Sequence, residues 1–341
     1  MTVRVIVVGT GGIARRHGEA LFTNENARII GAIDAESSRA EAFAGKFGGT
    51  PYTTLAEGLD QADAVYILTP PSFRRPYAIE AIEAGKHVFC EKSLAIAPED
   101  GKAIAEAAEK QGVIAMTGFN QRYRSGYRRL KQAVASGELG TPYHFWSHRF
   151  GMGSGGDGKL RQGNWRTDEN LCCGMTIESL SHDIDLMRWI LNDEVARVTG
   201  LVHSTVADLP NFDNNAQVLF KMKSGASAVI NASWSSRIGV NARGVLGEKG
   251  TAFVDGTDVG NNGIWCSTRF HIKTDADEYE RVEMLHDNLD VRSYKAETDD
   301  FIDAIRTGRH PLTSARDGYE TLRVSSAILE SSTSGETISL A

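Results

Sequence analysis

Cysteine is scarce and unpatterned in this 341-residue chain. The four present, Cys90, Cys172, Cys173 and Cys266, form no CxxC spacing, which argues against a disulfide framework and against any metal site of the structural zinc kind. Such usage suits a reducing cytoplasm. Positive charge is short as well: 37 Lys and Arg face 44 Asp and Glu, a formal net charge of −7. A nucleic-acid surface needs the opposite excess, so that partner class is disfavoured. Long apolar runs are also missing. None approaches the roughly 20 residues that cross a bilayer, so no membrane span is expected. The short apolar stretch after Met1 runs straight into glycines, unlike a cleavable leader.

What remains is ordinary globular composition, 41% hydrophobic and 24% charged, over a length that suits two domains. Through about residue 120, short apolar runs alternate with helical patterns. Strands are expected at 3–8, 28–33, 64–69, 87–90 and 113–117, each apolar over most of its length, as strands buried on both faces are. Helices are expected at 13–22, 37–47, 76–84 and 98–111, the last opening on Pro98, Glu99 and Asp100, which suit a helix N-terminus. This alternation predicts an α/β Rossmann domain with a parallel, doubly wound sheet over residues 1–120. Beyond it, strands are expected at 143–150, 196–206, 216–222, 226–235, 241–246 and 251–254, with a hairpin signal at Lys223-Ser224-Gly225. Helices interrupt from about Thr176 to Leu191 and return at 297–307 and 316–331. Residues 121–341 therefore read as an α+β domain on an open, predominantly antiparallel sheet. The Gly-rich stretch at 151–158 reads equally as a loop near the substrate and as a plain surface loop.

Gly9-Thr-Gly11-Gly12-Ile13-Ala14 is a GxGxxA motif placed directly after an apolar strand and at the opening of a helix. The first glycine makes the tight turn and the second lets the backbone approach a pyrophosphate. The alanine keeps helix and strand close, and the helix N-terminus faces the anion. A second strand ends in Asp34, 20 residues after Ala14. A carboxylate there accepts hydrogen bonds from ribose hydroxyls and repels a 2′-phosphate, which favours NAD. Arg39, close by in sequence, leaves NADP possible, and Asp34 reads alternatively as a cap on the next helix.

The segment Ala84-Gly-Lys-His-Val-Phe-Cys-Glu91-Lys92-Ser93-Leu-Ala resembles the AGKHVxCEKPLA signature of the glucose–fructose oxidoreductase / inositol dehydrogenase (Gfo/Idh/MocA) family. Thr69-Pro70-Pro71 resembles the family's loop after a nucleotide-domain strand. Asn164-Trp165-Arg166 and Gly174 through Glu178-Ser-Leu-Ser-His182-Asp-Ile-Asp185 resemble its second-domain signature. The resemblance implies a sugar, sugar-derivative or polyol substrate and a homodimer or homotetramer formed through the second-domain sheet. It implies cofactor contacts from Ile13, Thr69, Pro70, Glu91, Lys92, Asn120, Trp165 and Arg166. The family's lysine, carboxylate and histidine fall on Lys92, Glu178 and His182.

The chemistry agrees with that assignment. Oxidising a carbinol requires a base for the hydroxyl proton, and histidine suits neutral pH. A nearby ammonium stabilises developing alkoxide charge. On the helix from about Thr176 to Leu191, Glu178, His182, Asp185 and Trp189 share a face opposite Ile177, Leu180, Ile184, Met187 and Leu191, so Glu178 is expected to support His182. Arg122, Tyr123, Arg149, Trp165, Arg166 and Tyr294 are further substrate candidates, each of which reads as well as packing or an ion pair. His144 and His148 share a strand face without a third ligand.

Five positions depart from the family pattern. Ser93 replaces proline, and a cis bond before serine costs about 3 kcal/mol, so trans is expected. Glu178 replaces aspartate. Cys172 and Cys173 replace a glycine pair and should narrow the pocket. Arg74 stands where histidine is usual, and with Arg122, Arg149, Arg161 and Arg166 it suggests an anionic substrate. The reading is an NAD-dependent oxidoreductase acting on a secondary hydroxyl. The competing readings are redox-assisted lyase or hydrolase chemistry with recycled NAD, and a non-catalytic dinucleotide and sugar sensor.

Overall fold

The computed structural model describes residues 1–152, 165–168, 170–171, 174–207, 209, 212–256, 269–283 and 292–340. The chain divides into two compact units, Met1–Asn120 with Asp290–Leu322, and Gln121–Leu289 with Arg323–Ala341. A single division at residue 120 thus follows chain order, whereas packing returns residues 290–322 to the first unit.

In the first unit the order is β1 Val3–Val8, α1 Ala14–Phe22, β2 Ala27–Ile33, α2 Ser37–Phe47, β3 Thr50–Tyr52, α3 Ala56–Leu59, β4 Ala64–Ile67, α4 Arg74–Glu83, β5 His87–Glu91, α5 Pro98–Gln111 and β6 Ala115–Gly118. The six strands form one parallel sheet in the order β3-β2-β1-β4-β5-β6, the doubly wound arrangement expected. Val65, Ile67, Val88 and Cys90 from the sheet pack with Ala78, Ala81 and Ile82 of α4 and Ile104, Ala105 and Ala108 of α5. Strand β3 was not anticipated. It has three residues, one of them Pro51, and lies at the sheet edge, where a missing donor is tolerated.

The second unit contains α6 Ser125–Ala135, β7 Pro142–Met152, α7 Met175–Glu178, α8 Ser181–Leu191, β8 Val195–His203, β9 Asn215–Met222, β10 Ser227–Ser233, β11 Ser235–Gly247, β12 Gly250–Gly256, β13 Arg269–Thr274 and β14 Glu280–Glu283. Then α9 Arg292–Thr307 returns to the first unit, α10 Ala315–Ser334 begins there and ends in the second, and β15 Ile338–Ser339 completes the second sheet. Its nine strands run β14-β13-β12-β11-β7-β10-β9-β8-β15. All neighbours are antiparallel except β7 and β10. In β9, Ala216, Val218, Phe220 and Met222 point inward while Gln217, Leu219 and Lys221 are exposed, the alternation of a sheet with one covered face. The covered face packs on Tyr127 and Leu130 of α6, Ile184, Met187 and Ile190 of α8, and Ala327 and Ile328 of α10. No helix among the described residues is long and apolar enough to cross a membrane.

Candidate functional site

In the first unit the glycine turn follows β1. Gly9 has φ +87°, and a Cβ there would lie 2.8 Å from the Thr69 amide nitrogen and 2.9 Å from the Leu68 carbonyl carbon. Only glycine fits a positive φ this close to a neighbouring backbone. Gly11 and Gly12 differ: both are exposed, and a Cβ on either would meet nothing within 4 Å. Their space lies outside the chain, as a cradle for a dinucleotide phosphate requires. Ile13 follows, half-buried, at the start of α1. Asp34 lies just past β2. Its Oδ2 accepts hydrogen bonds from the Thr10 amide (2.7 Å) and hydroxyl (3.0 Å), and its Oδ1 from the Glu36 amide (3.0 Å). The carboxylate is thus tied to the glycine turn rather than capping α2, which has no side-chain cap. Arg39 pairs with Glu36 at 2.8 Å, both more than half exposed, an ion pair of little energetic weight.

Lys92 follows the carboxyl end of β5, on the sheet edge where Rossmann ligands bind. The buried Glu91 beside it accepts from the Lys92 amide (2.8 Å) through Oε2 and hydrogen bonds His17 Nε2 (2.9 Å) through Oε1. Burial alone would raise the Glu91 carboxyl, but the His17 hydrogen bond and charge, with Lys92 and Arg74, hold it below the ordinary range. The Lys92–Ser93 peptide is cis, contrary to the trans expectation. That expectation weighed the peptide by itself, whereas Arg74 donates to the carbonyls of both Glu91 and Ser93. Arg74 Nε also donates to the Thr69 carbonyl (2.9 Å). Thr69 and Pro70 are half-buried, and the Thr69 hydroxyl is a buried polar atom without a protein partner. With the open glycine cradle, it fits a bound dinucleotide. Asn120 is buried, and its Nδ2 donates to Ser293 Oγ (3.3 Å).

Tyr294 is corrected in place. It was expected in the second domain, but it lies on α9 in the first unit, edge-on to His17 (5.2 Å) and under Arg16 (5.5 Å). Burial first, then Glu91, pushes its phenol up.

In the second unit the expected single helix is two. Helix α7 ends at Glu178 and α8 starts at Ser181. Arg149 Nη1 takes the Ser179 carbonyl (2.7 Å) and the Ser181 hydroxyl takes the Glu178 carbonyl (3.1 Å), so side chains draw on carbonyls at the break. Glu178 and His182 are both buried. The Glu178 carboxylate accepts from Arg166 Nε at 3.2 Å, and the Arg166 guanidinium lies 4.4 Å over the Trp165 ring. Arg122 is paired bidentately with Asp185 (2.9 and 2.6 Å), and Tyr123 is buried next to it in sequence. Arg149 also meets Asp183 (3.0 Å). Arg74, Arg122, Arg149 and Arg166 thus each meet an internal carboxylate or carbonyl. Arg161, Asn164, Cys172 and Cys173 lie outside the described residues. His144 and His148 share a β7 face with separate partners, Ser227 Oγ (2.8 Å) and Asn231 Nδ2 (3.3 Å).

Sequence reasoning missed the residues that build these sites. His17 is a fully buried polar residue on the packed face of α1, which also carries Ala14, Gly18 and Leu21, and that contrast was its signal. Asp183 receives Ser147 Oγ (2.8 Å), Arg149 and Arg243 Nε (2.8 Å), all buried, and fastens α8 to β7 and β11. Asp213 accepts from the Thr176 amide (2.7 Å) and hydroxyl (2.6 Å) at the start of α7, and burial pushes its carboxyl up to about 6. No local pattern marks either aspartate.

Residues 3–119 match the family described as an oxidoreductase family with an NAD-binding Rossmann fold, and residues 127–253 match the Gfo/Idh/MocA C-terminal domain. The chain is 29% identical to inositol 2-dehydrogenase 3 of Saccharopolyspora erythraea, over all of this chain and 96% of that protein. Among solved structures, an oxidoreductase domain protein from Kribbella flavida shares the fold at TM-score 0.88 and 24% identity, with both chains fully covered. The WlbA dehydrogenase of Bordetella pertussis, solved with NADH and UDP-GlcNAcA, aligns at TM-score 0.83 and 25% identity over 100% of this chain and 99% of that one.

Proposed function

Because this chain belongs to the Gfo/Idh/MocA family of NAD-binding oxidoreductases, we propose that it oxidises a secondary hydroxyl of a sugar, sugar derivative or cyclitol. The observation that carries this is the position of Lys92, directly past β5 on the sheet edge that also bears the open glycine turn. The names of relatives, inositol 2-dehydrogenase among them, support a polyol substrate.

The Gly9–Ile13 turn and the start of α1 hold the pyrophosphate, and Asp34 receives the ribose hydroxyls, which favours NAD over NADP. Thr69, Pro70, Glu91 and Asn120 complete that binding surface. NAD supplies the hydride acceptor when bound. The Lys92 ammonium holds the alcohol oxygen and stabilises negative charge developing on it. His182 takes the hydroxyl proton as general base and returns it in the reverse direction. Glu178, whose carboxylate accepts from Arg166 Nε, is the carboxylate assigned to support His182. Trp165 and Arg166 offer a flat apolar face and a donor to the substrate.

Self-association through the uncovered face of the second sheet completes the reading. That face carries Trp146 beside Phe253 (5.9 Å) and the exposed Leu201 and Leu219, each 62% accessible. Light scattering checks it.

The test is a panel of inositols, aldoses and sugar acids with NAD+ and NADP+, followed by absorbance of the reduced nucleotide. Lys92→Ala and His182→Ala should each lose turnover on the responding polyol while still binding NADH. Variants that fold and turn over like the parent would refute the assigned roles.

A further inference from the structure

Lys92 is a long, flexible side chain, and its ammonium is only as well aimed as the backbone that carries it. Three backbone groups around it are gripped by buried side chains. The Lys92 amide donates to Glu91 Oε2 at 2.8 Å. The other oxygen of that carboxylate meets His17 Nε2 at 2.9 Å, and His17 is 0% exposed. His17 is itself wedged among Phe89 (5.1 Å), Tyr66 (6.0 Å) and Tyr294 (5.2 Å), so its ring has little freedom to turn. On the other side, Arg74 donates to the carbonyls of Glu91 and Ser93, which flank Lys92. The same guanidinium reaches the Thr69 carbonyl at 2.9 Å, joining the loops after β4 and β5.

We propose that His17 and Arg74 are positioning residues that clamp the Glu91–Ser93 backbone and thereby aim the Lys92 ammonium. The inference rests on the proposed role of Lys92 for its functional meaning, but the clamp is testable without turnover. His17 acts through a chain of two bonds. Its ring donor fixes one carboxylate oxygen, which turns the other towards the Lys92 amide. Without the donor, a buried carboxylate loses a charge-assisted partner and must turn or take up a proton. Arg74 acts directly, because one guanidinium satisfies carbonyls on both sides of the lysine. The chain thus holds the residue before Lys92 by its side chain and the flanking peptides by their oxygens.

Trace acetic anhydride labelling of the NADH-loaded full chain, read peptide by peptide by mass spectrometry, reports the reactivity of Lys92 against that of Lys102 and Lys110 on α5. Relaxing a supporting shell should change the Lys92 rate at least about threefold in His17→Leu and in Arg74→Met, with both reference lysines unchanged. His17→Gln, which restores a donor near the Nε2 position, should return it to within about twofold. If His17→Leu does not fold, Glu91→Gln, which neutralises the carboxylate at nearly constant volume, is read the same way. An unchanged Lys92 rate in the folded variants overturns the clamp, as does a Gln variant no closer to the parent than Leu. A changed rate, with Lys92→Ala still turning over substrate, supports the clamp and instead refutes the catalytic role given to the lysine.

Discussion

Replacing Asp183 by Asn should lower the thermal midpoint of the unit that contains it by about 6–20 °C. Asp183 is 0% exposed, and the two guanidiniums it answers, Arg243 and Arg149, are 1% and 6% exposed. Its Oδ1 accepts from Arg243 Nε and Ser147 Oγ, both at 2.8 Å, and its Oδ2 from Arg149 Nη1 at 3.0 Å. Asparagine keeps the shape but removes the only anion among those contacts. Arg243 retains Tyr127 and Asn241, both neutral, and Arg149 retains the Ser179 carbonyl. Two buried cations would then lose the carboxylate they share. Breaking a buried ion pair from one side costs about 3–5 kcal/mol, and each kcal/mol moves the midpoint of a unit this size by about 2–4 °C.

The pH dependence gives the same prediction a second arm. Burial alone would raise the Asp183 carboxyl, but Arg243 and Arg149, with the Ser147 hydrogen bond, hold it below the ordinary value. A depressed carboxylate contributes stability above its unfolded pKa, and that contribution is lost as pH falls through the lower folded pKa. The gap between parent and Asp183→Asn should therefore hold steady from pH 8 to pH 5 and narrow only below about pH 4. Arg149 is pulled down by its own burial, outweighing the carboxylate it shares with Arg243, yet a guanidinium remains charged throughout this range. Scanning calorimetry with far-ultraviolet circular dichroism reads both arms. A midpoint within about 2 °C of the parent at pH 7 would refute the reasoning, as would a gap that changes between pH 8 and pH 5.

Gly174→Ala should destabilise by at least about 2 kcal/mol, because Gly174 has φ +93° and its Cβ would lie 2.0 Å from Asp213 Oδ1. An unshifted urea midpoint would refute that. Asp213→Asn should behave in the opposite sense to Asp183→Asn. The folded Asp213 carboxyl is raised to about 6, so its contribution is full below its unfolded value and is lost as pH rises through 6. Asparagine suffers no such loss, so the variant should gain on the parent by on the order of 2–3 kcal/mol between pH 4 and pH 8; a flat difference would contradict it. Gly11→Ala meets no protein atom within 4 Å, so it should melt like the parent while binding NADH at least about tenfold more weakly. Parent-like affinity by fluorescence titration would remove the glycine cradle from the proposal.

Much of the first unit was legible because its evidence is local. β1 and α2 fall at their expected bounds, since a strand buried on both faces is a plain apolar run and a Rossmann turn is a contiguous motif. β13 escaped for a matching reason. In Arg269–Thr274 only Phe270 and Ile272 mark the inward face, and six residues of such alternation stand out weakly. Helix α6 was missed although its buried Tyr127, Leu130 and Ala133 follow helical spacing, because no acid in its first turn and no side-chain cap marks its start.

The Glu178–His182 region failed for a different reason. A helix face was assigned by counting, as though one side met solvent, yet α8 is buried almost all round: His182, Asp183, Asp185 and Arg188 are buried as well as Ile184 and Met187. Periodicity carries no information on a helix with no wet side. What then determines its setting is charge, and the charges that answer Asp183 come from 34 and 60 residues away. Arg149 also takes the Ser179 carbonyl, so the arginine that pairs with Asp183 also sits at the break between α7 and α8. Because Arg149 grips both Asp183 and the Ser179 carbonyl, a change at Arg149 should disturb the start of α8, which carries His182, more than an equal loss of apolar contact elsewhere on that helix.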